Sequence, residues 1–351
     1  MQVGKRLILV CKMLVIALSL IGIYAYARRQ AEHTGTKGQN TDYSFAMGTS
    51  VSVTVYDSDD TQAKQLAQTV RQLDEDIISW RAKDSELANW NRRNGMEESN
   101  KLSDTLFTAI AQSYDICEAS EGALDITLRP LADVWGIEEK TAQTFVPPTK
   151  EQIKEAKKRI GYEKLTVNTK TKEVICGSSD ISIDLGAVGK GYALDVVKEQ
   201  LFEKKIQGAT VAIGGSVLIF GRKWDDSPFR IGVRNPDGDR EDMIGYLEFP
   251  GESNLCISTS GDYEKYVEYE GRRYHHILDR TTGAPVDTSL RSVTVVCENG
   301  LQSDGLSTAC FVLGEGKARE LLAGYQAEAV FVYDDQTIRM TDGLKAYWKG
   351  K

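Results

Sequence analysis

The spacing of apolar residues in the first half of the chain predicts one strand followed by two helices. Residues 51–55 alternate valines with hydroxyl side chains, which is the period of two expected of a half-buried strand. From Gln62 to about Ile78, apolar residues recur at the three-to-four-residue spacing of an amphipathic helix. A second pattern of this kind follows Ser103 and carries apolar residues from Leu106 to Tyr114 along one face.

Helical and strand-like patterns follow one another irregularly in the second half of the chain. Helices are predicted from Val188 to Leu201 and from Asp304 to about Leu313. Strands are predicted at residues 210–213, 292–296 and 328–333. No GxGxxG pattern opens a helix after a strand, which argues against a Rossmann nucleotide site. This order predicts a single α+β domain, residues 44–351, with mixed sheets and flanking helices.

The first 27 residues predict a membrane segment. Lys5 and Arg6 precede an apolar run from Leu7 to Ala27 that only Lys12 interrupts. The run suits a single-pass anchor, and its uncharged part also suits the apolar region of a cleaved secretion signal. We favour an uncleaved anchor in the cell membrane, with the basic flank placing the body on the extracytoplasmic side. The polar residues 28–43 are then expected to form a flexible tether.

Charge and cysteine usage argue against two classes of function, nucleic-acid binding and zinc binding. The formal net charge is −8, and because the first thirty residues contribute +5, the rest of the chain carries −13. Phosphate backbones require clustered basic residues, so a body this acidic does not suit them. The six cysteines include no CxxC or CxxxC pair, and most lie among apolar residues. We expect buried free thiols, with a disulfide as the alternative outside the cytoplasm.

A glycine-rich loop ahead of a predicted helix is the first candidate ligand site. Residues Asp184 to Gly191 include three glycines and Lys190, and they follow the apolar stretch Ile181–Ile183. Glycines allow a ligand to approach the backbone closely, and N–H groups at a helix start favour an anion. The loop departs from a Walker A sequence at both ends, because Asp184 replaces a glycine and Gly191 replaces a serine or threonine. A tight strand-to-helix turn without any ligand is the alternative interpretation.

Two oxygen-bearing side chains near the predicted helix at Asp304 suggest a cation site. Asp304 and Thr308 are four residues apart, so both project from one face of a helix. A set made only of oxygen ligands suits Mg²⁺ better than zinc. The alternative is structural, with Ser303 or Asp304 capping the helix.

Two of the three histidines lie in the same part of the chain. His276, close to Asp279, is a candidate general base or phosphate-orienting group, and His275 is expected to be its solvated neighbour. Together with the glycine-rich loop and the oxygen ligands, His276 predicts a magnesium-assisted reaction on a phosphate ester.

At these residues the chain resembles the ApbE family of FAD:protein FMN transferases. The resemblance covers roughly Phe45 to Leu344 in ordered blocks. The blocks are Ala46–Thr49, Ser79–Trp80, Asp84–Leu87, Gly122–Thr127, Pro130–Leu131, Trp135–Gly136, Asp184–Asp195, Ile213–Gly215, Thr259–Tyr263, His276–Asp279 and Asp304–Thr308. The resemblance implies an α+β, T-fold-related domain with a tunnel-like flavin site, in a family whose members work outside the cytoplasm and are often anchored.

The resemblance also implies roles for individual residues. Those implied to line the FAD site are Met47, Trp80, Ala123, Leu124, Asp125, Asp184, Lys190 and Ile277 or Leu278. Those implied to hold Mg²⁺ are Ala187 through its carbonyl, Asp304, Ser307 and Thr308. His276 and Asp304 are the implied catalytic pair. Trp80 stands where tyrosine is common, and Arg280 departs from a Pro-Arg-Thr-Gly pattern, which leaves the course of that loop open.

The implied reaction is the Mg²⁺-dependent transfer of FMN from FAD to a threonine of a target protein, with release of AMP. The implied acceptor is a flavoprotein subunit of electron transport. The residues alone leave two alternatives open. One is an FAD pyrophosphatase that yields FMN and AMP, and the other is a non-catalytic flavin carrier.

Overall fold

Alternating valines and hydroxyl residues build the centre of the fold, where strand pairs with strand in one large antiparallel sheet. The computed structural model describes residues 38–56, 60–93, 101–178, 180–239 and 241–351. The expected membrane segment, residues 1–27, and the tether as far as residue 37 lie outside these ranges. Among the described residues, none of the helices combines the length and the apolar character that crossing a bilayer requires.

Helices and strands occupy the following ranges. The helices are α1 (Asp60–Gln72), continued by a π-helical turn (Leu73–Ile78), α2 (Glu86–Arg93), α3 (Asp104–Ala119), α4 (Arg129–Trp135), α5 (Lys150–Lys157), α6 (Gly189–Glu203) and α7 (Gly300–Gly324), with 3₁₀ turns at Tyr162–Lys164 and Asp342–Leu344. The strands are β1 (Gln39–Ala46), β2 (Thr49–Tyr56), β3 (Leu165–Asn168), β4 (Glu173–Cys176), β5 (Gly208–Ile213), β6 (Ser216–Gly221), β7 (Phe229–Arg234), β8 (Met243–Phe249), β9 (Ser253–Gly261), β10 (Tyr266–Tyr269), β11 (Arg272–His275), β12 (Leu278–Asp279), β13 (Ala284–Pro285), β14 (Leu290–Cys297), β15 (Glu328–Tyr333), β16 (Ile338–Met340) and β17 (Trp348–Gly350).

Eight strands form the main sheet in the order β1-β2-β5-β6-β9-β14-β15-β16. A three-stranded sheet has the order β17-β8-β7, and three hairpin-like pairs, β3-β4, β10-β11 and β12-β13, complete the strands. The expected α+β class is confirmed. The expectation of mixed sheets is wrong, because every strand pairing among the described residues is antiparallel.

The two faces of the main sheet pack against different layers. Val53 and Val211 face α1, α6 and α7 and belong to the largest hydrophobic core. Ile219, Ile257 and Val330 lie on the opposite face and pack with residues of the three-stranded sheet in a second core. The result is a three-layer arrangement of helices, main sheet and small sheet.

Three local predictions need correction. Residues 39–43, expected to be tether, pair with β2 as part of the edge strand β1. The strand-to-helix alternative required a strand at Ile181–Ile183, but these residues form none, and the Asn91 amide bonds both the N–H and the carbonyl of Ile183 at 2.8 Å. Helix α7 begins at Gly300, earlier than the predicted Asp304, and its N-cap is Asn299.

The other predicted elements are confirmed. Strands β2, β5, β14 and β15 and helices α1, α3 and α6 lie where the apolar pattern predicts them, and Ser103 caps α3. The first segment of α7 ends near the predicted Leu313, because Gly314 adopts a non-helical conformation with φ 73°. The described cysteines are all free and buried, which confirms the expected thiols.

Candidate active site

The candidate site lies at the end of the main sheet where three chain segments meet. The β1–β2 turn is Met47–Gly48, with both residues at positive φ, as a two-residue hairpin requires. The β5–β6 turn, Gly214–Gly215, lies beside the last residues of β9, and the Thr259 N–H donates to the Gly215 carbonyl over 3.0 Å. Helices α6 and α7 cross above these strand ends.

The crossing of α6 and α7 depends on two glycines that face each other. A Cβ atom on Gly191 would lie 2.0 Å from the Gly300 carbonyl oxygen, so the two backbones are in direct contact. Asp195 of α6 accepts the N–H groups of Gly300 and Leu301 over 2.7 and 2.8 Å. These bonds satisfy unpaired N–H groups at the start of α7 and set the position of that helix.

Asp304 is the buried centre of the site. Its carboxylate accepts the Gly191 N–H over 3.0 Å and the Ser216 hydroxyl over 3.2 Å. The Lys190 ammonium lies 3.0 Å from the same carboxylate. Because a buried carboxylate is costly without partners, this charge and these two donors explain how Asp304 remains inside the protein.

Serine hydroxyls of β9 bond to the face of α7 that carries Asp304. Ser260 lies 2.8 Å from the Ser307 hydroxyl and 3.0 Å from the Thr308 hydroxyl. Asp304, Ser307 and Thr308 therefore lie together on one turn of α7. Ser303 was expected as a possible cap, but it is buried within the helix and lies 2.8 Å from Ser258.

The glycine-rich loop, Asp184 to Gly191, connects Asp304 to a second group of charged residues around Asp184. Lys190, which the resemblance implies to line the FAD site, lies at one end of the loop and pairs with Asp304. At the other end, Asp184 accepts the Gly186 N–H over 2.8 Å and donates its own N–H to Ile126. Burial raises the pKa of Asp184, and the Gly186 N–H and the nearby arginines oppose that shift. Ala187, the expected carbonyl ligand, lies between the two ends.

Two arginines lie over the ring of Trp80, a residue that the resemblance implies to line the FAD site. The guanidinium carbon of Arg129 is 3.0 Å from the ring centroid, and that of Arg81 is 4.0 Å from it. Both arginines also act on the pKa of Asp184, so Trp80 and Asp184 belong to one neighbourhood. The aromatic surface of Trp80 is thus covered by two cations.

His276 joins the same neighbourhood through Glu138. The Glu138 carboxylate pairs with Arg81 and lies 3.0 Å from the Lys265 ammonium. The His276 Nδ1 atom lies 3.1 Å from the Lys265 carbonyl, which can only accept, so Nδ1 carries the proton. Burial, and then the Lys265 charge, lower the pKa of His276 to about 4. The ring is therefore neutral at neutral pH, and Nε2 is the basic atom.

His275 is buried and not the solvated neighbour that the sequence suggested. Its Nε2 atom lies 3.0 Å from the Val286 carbonyl, and its ring meets Phe311 edge to face. His275 is the last residue of β11 and is buried in the core, whereas His276 follows the strand and bonds to the Lys265 carbonyl.

Several other residues implied by the resemblance serve the packing around the site. Asp125 is buried, accepts the backbone and hydroxyl donors of Thr127 and lies 3.4 Å from Arg280. Leu124 and Ile277 belong to the largest core, with Ala123 and Met47 packed at its margin. Leu278 belongs to a smaller cluster around Trp135. The side chains of Asp125, Ile277 and Leu278 are therefore engaged within the protein.

Arg280 explains the course of the loop that departs from the family pattern. The loop closes the β12–β13 hairpin, with the Gly283 N–H bonded to the Asp279 carbonyl over 2.7 Å. The Arg280 guanidinium extends to Glu163 over 2.7 Å and to Asp125. Arg280 thus joins three segments of the chain.

Four residues of the site were missed in the sequence. Ser216, Asp195, Arg129 and Glu138 make contacts with residues far away in the chain. Asp195 alone carried a usable signal, because it ends one of the blocks that resemble the family. The others are single polar residues in ordinary surroundings, and only their three-dimensional neighbours distinguish them.

The geometry defines an α+β protein whose main sheet ends in a polar site of carboxylate, hydroxyl, ammonium and imidazole groups. The model of the ApbE family matches residues 47–331, and the chain belongs to that family. The FAD:protein FMN transferase of Vibrio cholerae is 30% identical over 335 residues, which are 95% of this chain and 96% of that protein. The protein of the same name from Escherichia coli K12 is 30% identical over 274 residues, 78% of this chain and 76% of that protein.

Solved structures agree with this assignment. The crystal structure of the ApbE protein from Thermotoga maritima matches with a TM-score of 0.76 and 30% identity, over 88% of this chain and 98% of that one. The flavin transferase ApbE from Vibrio cholerae matches with a TM-score of 0.76 and 27% identity, over 88% of this chain and 99% of that one.

Proposed function

We propose that this protein transfers FMN from FAD to a threonine hydroxyl of a target protein and releases AMP. The observation that carries the proposal is the buried Asp304 cluster on α7, in a chain that belongs to the ApbE family throughout residues 47–331. The relatives named FAD:protein FMN transferase support it, since they match up to 95% of this chain.

The residues around Asp304 fit a magnesium ion. Asp304, Thr308, Ser307 and the Ala187 carbonyl would supply oxygen ligands only, which is the set that Mg²⁺ prefers. When bound, Mg²⁺ would neutralise charge on the pyrophosphate of FAD. Lys190 lies against Asp304, so its ammonium balances the carboxylate charge, and it would lie near the phosphates of bound FAD.

His276 is the proposed base for the transfer. The threonine oxygen forms a bond to the FMN phosphorus, and the bond between that phosphorus and the bridging oxygen breaks. The electron pair of the broken bond leaves with AMP, and the threonine proton moves to the Nε2 atom of His276. The bond from Nδ1 to the Lys265 carbonyl holds the ring in the tautomer that this transfer requires.

The decisive experiment incubates the protein with FAD, Mg²⁺ and a candidate flavoprotein subunit of electron transport, and then weighs the subunit by mass spectrometry. The expected result is a mass increase of one FMN on a threonine, with AMP in solution. FMN that accumulates without an acceptor would favour a pyrophosphatase instead, and bound FAD that never yields AMP would favour a flavin carrier.

Asp304→Asn tests the proposed metal site. The substitution keeps the shape of the side chain but removes the charge, so transfer is expected to fall by about 10²-fold or more. Asp342→Asn, at an exposed aspartate of the C-terminal 3₁₀ turn, is the matched control and should transfer at the original rate. Full transfer by Asp304→Asn would refute the metal assignment.

The proposal includes the place where the reaction occurs. Residues 1–27 anchor the protein in the cell membrane, and the polar residues up to 38 hold the catalytic domain on the extracytoplasmic side. The support is the apolar run from Leu7 to Ala27 with its basic flank. The test is extraction of membranes at alkaline pH, where an anchored protein stays in the pellet and a cleaved protein does not.

A further inference from the structure

Arg129 lies at the proposed FAD site without a full set of partners. It is the first residue of α4, and its guanidinium carbon lies 3.0 Å from the centroid of the Trp80 ring. One of its terminal nitrogens, Nη2, lies 3.3 Å from the exposed Asp133. This ion pair is a surface contact, and surface contacts of this type contribute little.

The other terminal nitrogen of Arg129 is buried and unbonded. Nη1 has no hydrogen-bond partner among the described residues. Burial lowers the pKa of the Arg129 guanidinium, although Asp133 and Asp184 oppose that shift. A buried donor on a charged group loses its hydration without compensation, so an acceptor from outside the protein would be favoured there.

The neighbours of Arg129 already have partners of their own. Arg81, which lies over the same Trp80 ring, pairs with Glu138. Asp184 accepts the Gly186 N–H, and its contact with Arg129 is electrostatic only. Of the two arginines over Trp80, Arg129 is therefore the one with a buried donor left unpaired, and its charge acts on Asp184, the first residue of the glycine-rich loop.

We propose that Arg129 binds FAD by donating from Nη1 to a phosphate oxygen of its pyrophosphate. The inference rests on the proposed function, because it takes FAD to be the ligand of this site. Phosphate oxygens suit it best, since an arginine fork binds anionic oxygens more strongly than neutral ones. Arg129 is then a substrate-binding residue that selects for the diphosphate part of FAD.

The test compares the binding of three probes, FAD, ADP and riboflavin, to the wild-type protein and to Arg129→Gln in the presence of Mg²⁺. FAD and ADP carry phosphates, whereas riboflavin has only the ring system and a neutral side chain. Isothermal titration calorimetry measures the three affinities. Arg129→Gln is expected to weaken the binding of FAD and of ADP by about tenfold or more and to change the affinity for riboflavin less than twofold. The retained riboflavin affinity also shows that the variant is folded.

Asp133→Asn is the matched control, because it removes the exposed partner of Arg129 and leaves Nη1 unchanged. Its three affinities should equal those of the wild-type protein. Two results would overturn the phosphate contact: affinities of Arg129→Gln equal to those of the wild-type protein, or a loss as large for riboflavin as for FAD and ADP. If the wild-type protein transfers FMN in either case, the proposed function still stands. A wild-type protein that binds no FAD and transfers no FMN would overturn the proposed function and this inference together.

Discussion

His276 shows how a residue acquires its chemistry from distant neighbours. The Lys265 carbonyl bonds the Nδ1 atom of its ring, and the charge of Glu138 partly opposes the effect of the Lys265 ammonium on its pKa. Burial dominates, so the ring is kept neutral. His275, one residue earlier, is buried against Phe311 instead and has no access to this group.

At this scale, His276→Gln is expected to reduce the rate of FMN transfer by about 10²–10⁴-fold, because a positioned base is lost. FAD affinity should stay close to that of the wild-type protein, since glutamine still donates to the Lys265 carbonyl. Single-turnover kinetics and calorimetry measure the two quantities separately. A variant with an unchanged transfer rate would exclude His276 as the base.

The pH dependence of transfer provides a second check on His276. Burial lowers the pKa of His276 from the ordinary 6.5 to about 4. Between pH 4 and pH 6.5 the Nε2 atom is therefore deprotonated and able to accept a proton. The acid limb of kcat/KM for FAD is therefore expected below pH 6.5, with activity falling as the pH approaches 4. The residual rate of His276→Gln should lack this limb. An acid limb centred above pH 6.5 would contradict the assignment.

At the scale of elements, the site depends on how closely α6 and α7 approach. Gly191 and Gly300 permit contact between the two backbones, and Asp195 holds the first N–H groups of α7. The same approach lets the Gly191 N–H reach Asp304. The spacing between the helices therefore determines whether the carboxylate has its partners.

Gly191→Ala is expected to destabilise the protein by about 1–3 kcal/mol or more, because the new Cβ would lie 2.0 Å from the Gly300 oxygen and 2.6 Å from the Asp304 Cβ. Urea denaturation measures the free energy of unfolding. The matched control is Gly316→Ala in α7, where a Cβ would meet nothing within 4 Å. That change should raise stability by about 0.5–1 kcal/mol, and an equal effect of both substitutions would argue against a tight crossing.

At the scale of the whole molecule, the main sheet separates two hydrophobic layers and ends at the edge strand β1. This strand pairs with β2 over its full length, from Gln39 opposite Tyr56 to Ala46 opposite Thr49. It leads directly into the Met47–Gly48 turn at the candidate site, where the Met47 N–H donates to Asp74 over 2.6 Å. The polar residues of β1 therefore belong to the folded body and lead into the candidate site.

Two trimmed chains test what β1 contributes to the stability of the fold. Residues 38–351 are expected to unfold at the same midpoint as the full chain, because β1 is complete. Residues 44–351 lack five of the eight β1 residues and expose the edge of β2, so a midpoint at least about 2 °C lower is expected. Thermal unfolding followed by circular dichroism measures the difference. Equal midpoints for the two trimmed chains would mean that residues 39–43 do not contribute to the fold.

The elements that could be predicted are those with one apolar face. The alternating valines of β2 and the spaced apolar residues of α3 bury one side, so their periods are visible in the sequence. Strand β1 was missed because an edge strand can be polar, and Gln39 to Asp42 show no apolar alternation. The start of α7 was missed because Gly300 is a poor helix former that Asp195 supports from another helix.

The sequence by itself determined the types of chemical group available, their local spacing and the family to which the chain belongs. Asp304 and Thr308 on one helical face follow from a four-residue interval alone. Only the tertiary structure decided that Lys190 pairs with Asp304, that Arg129 lies over Trp80 and that His276 is neutral. The physical reason is that charge pairing and burial depend on distances between residues far apart in the chain, which folding alone sets.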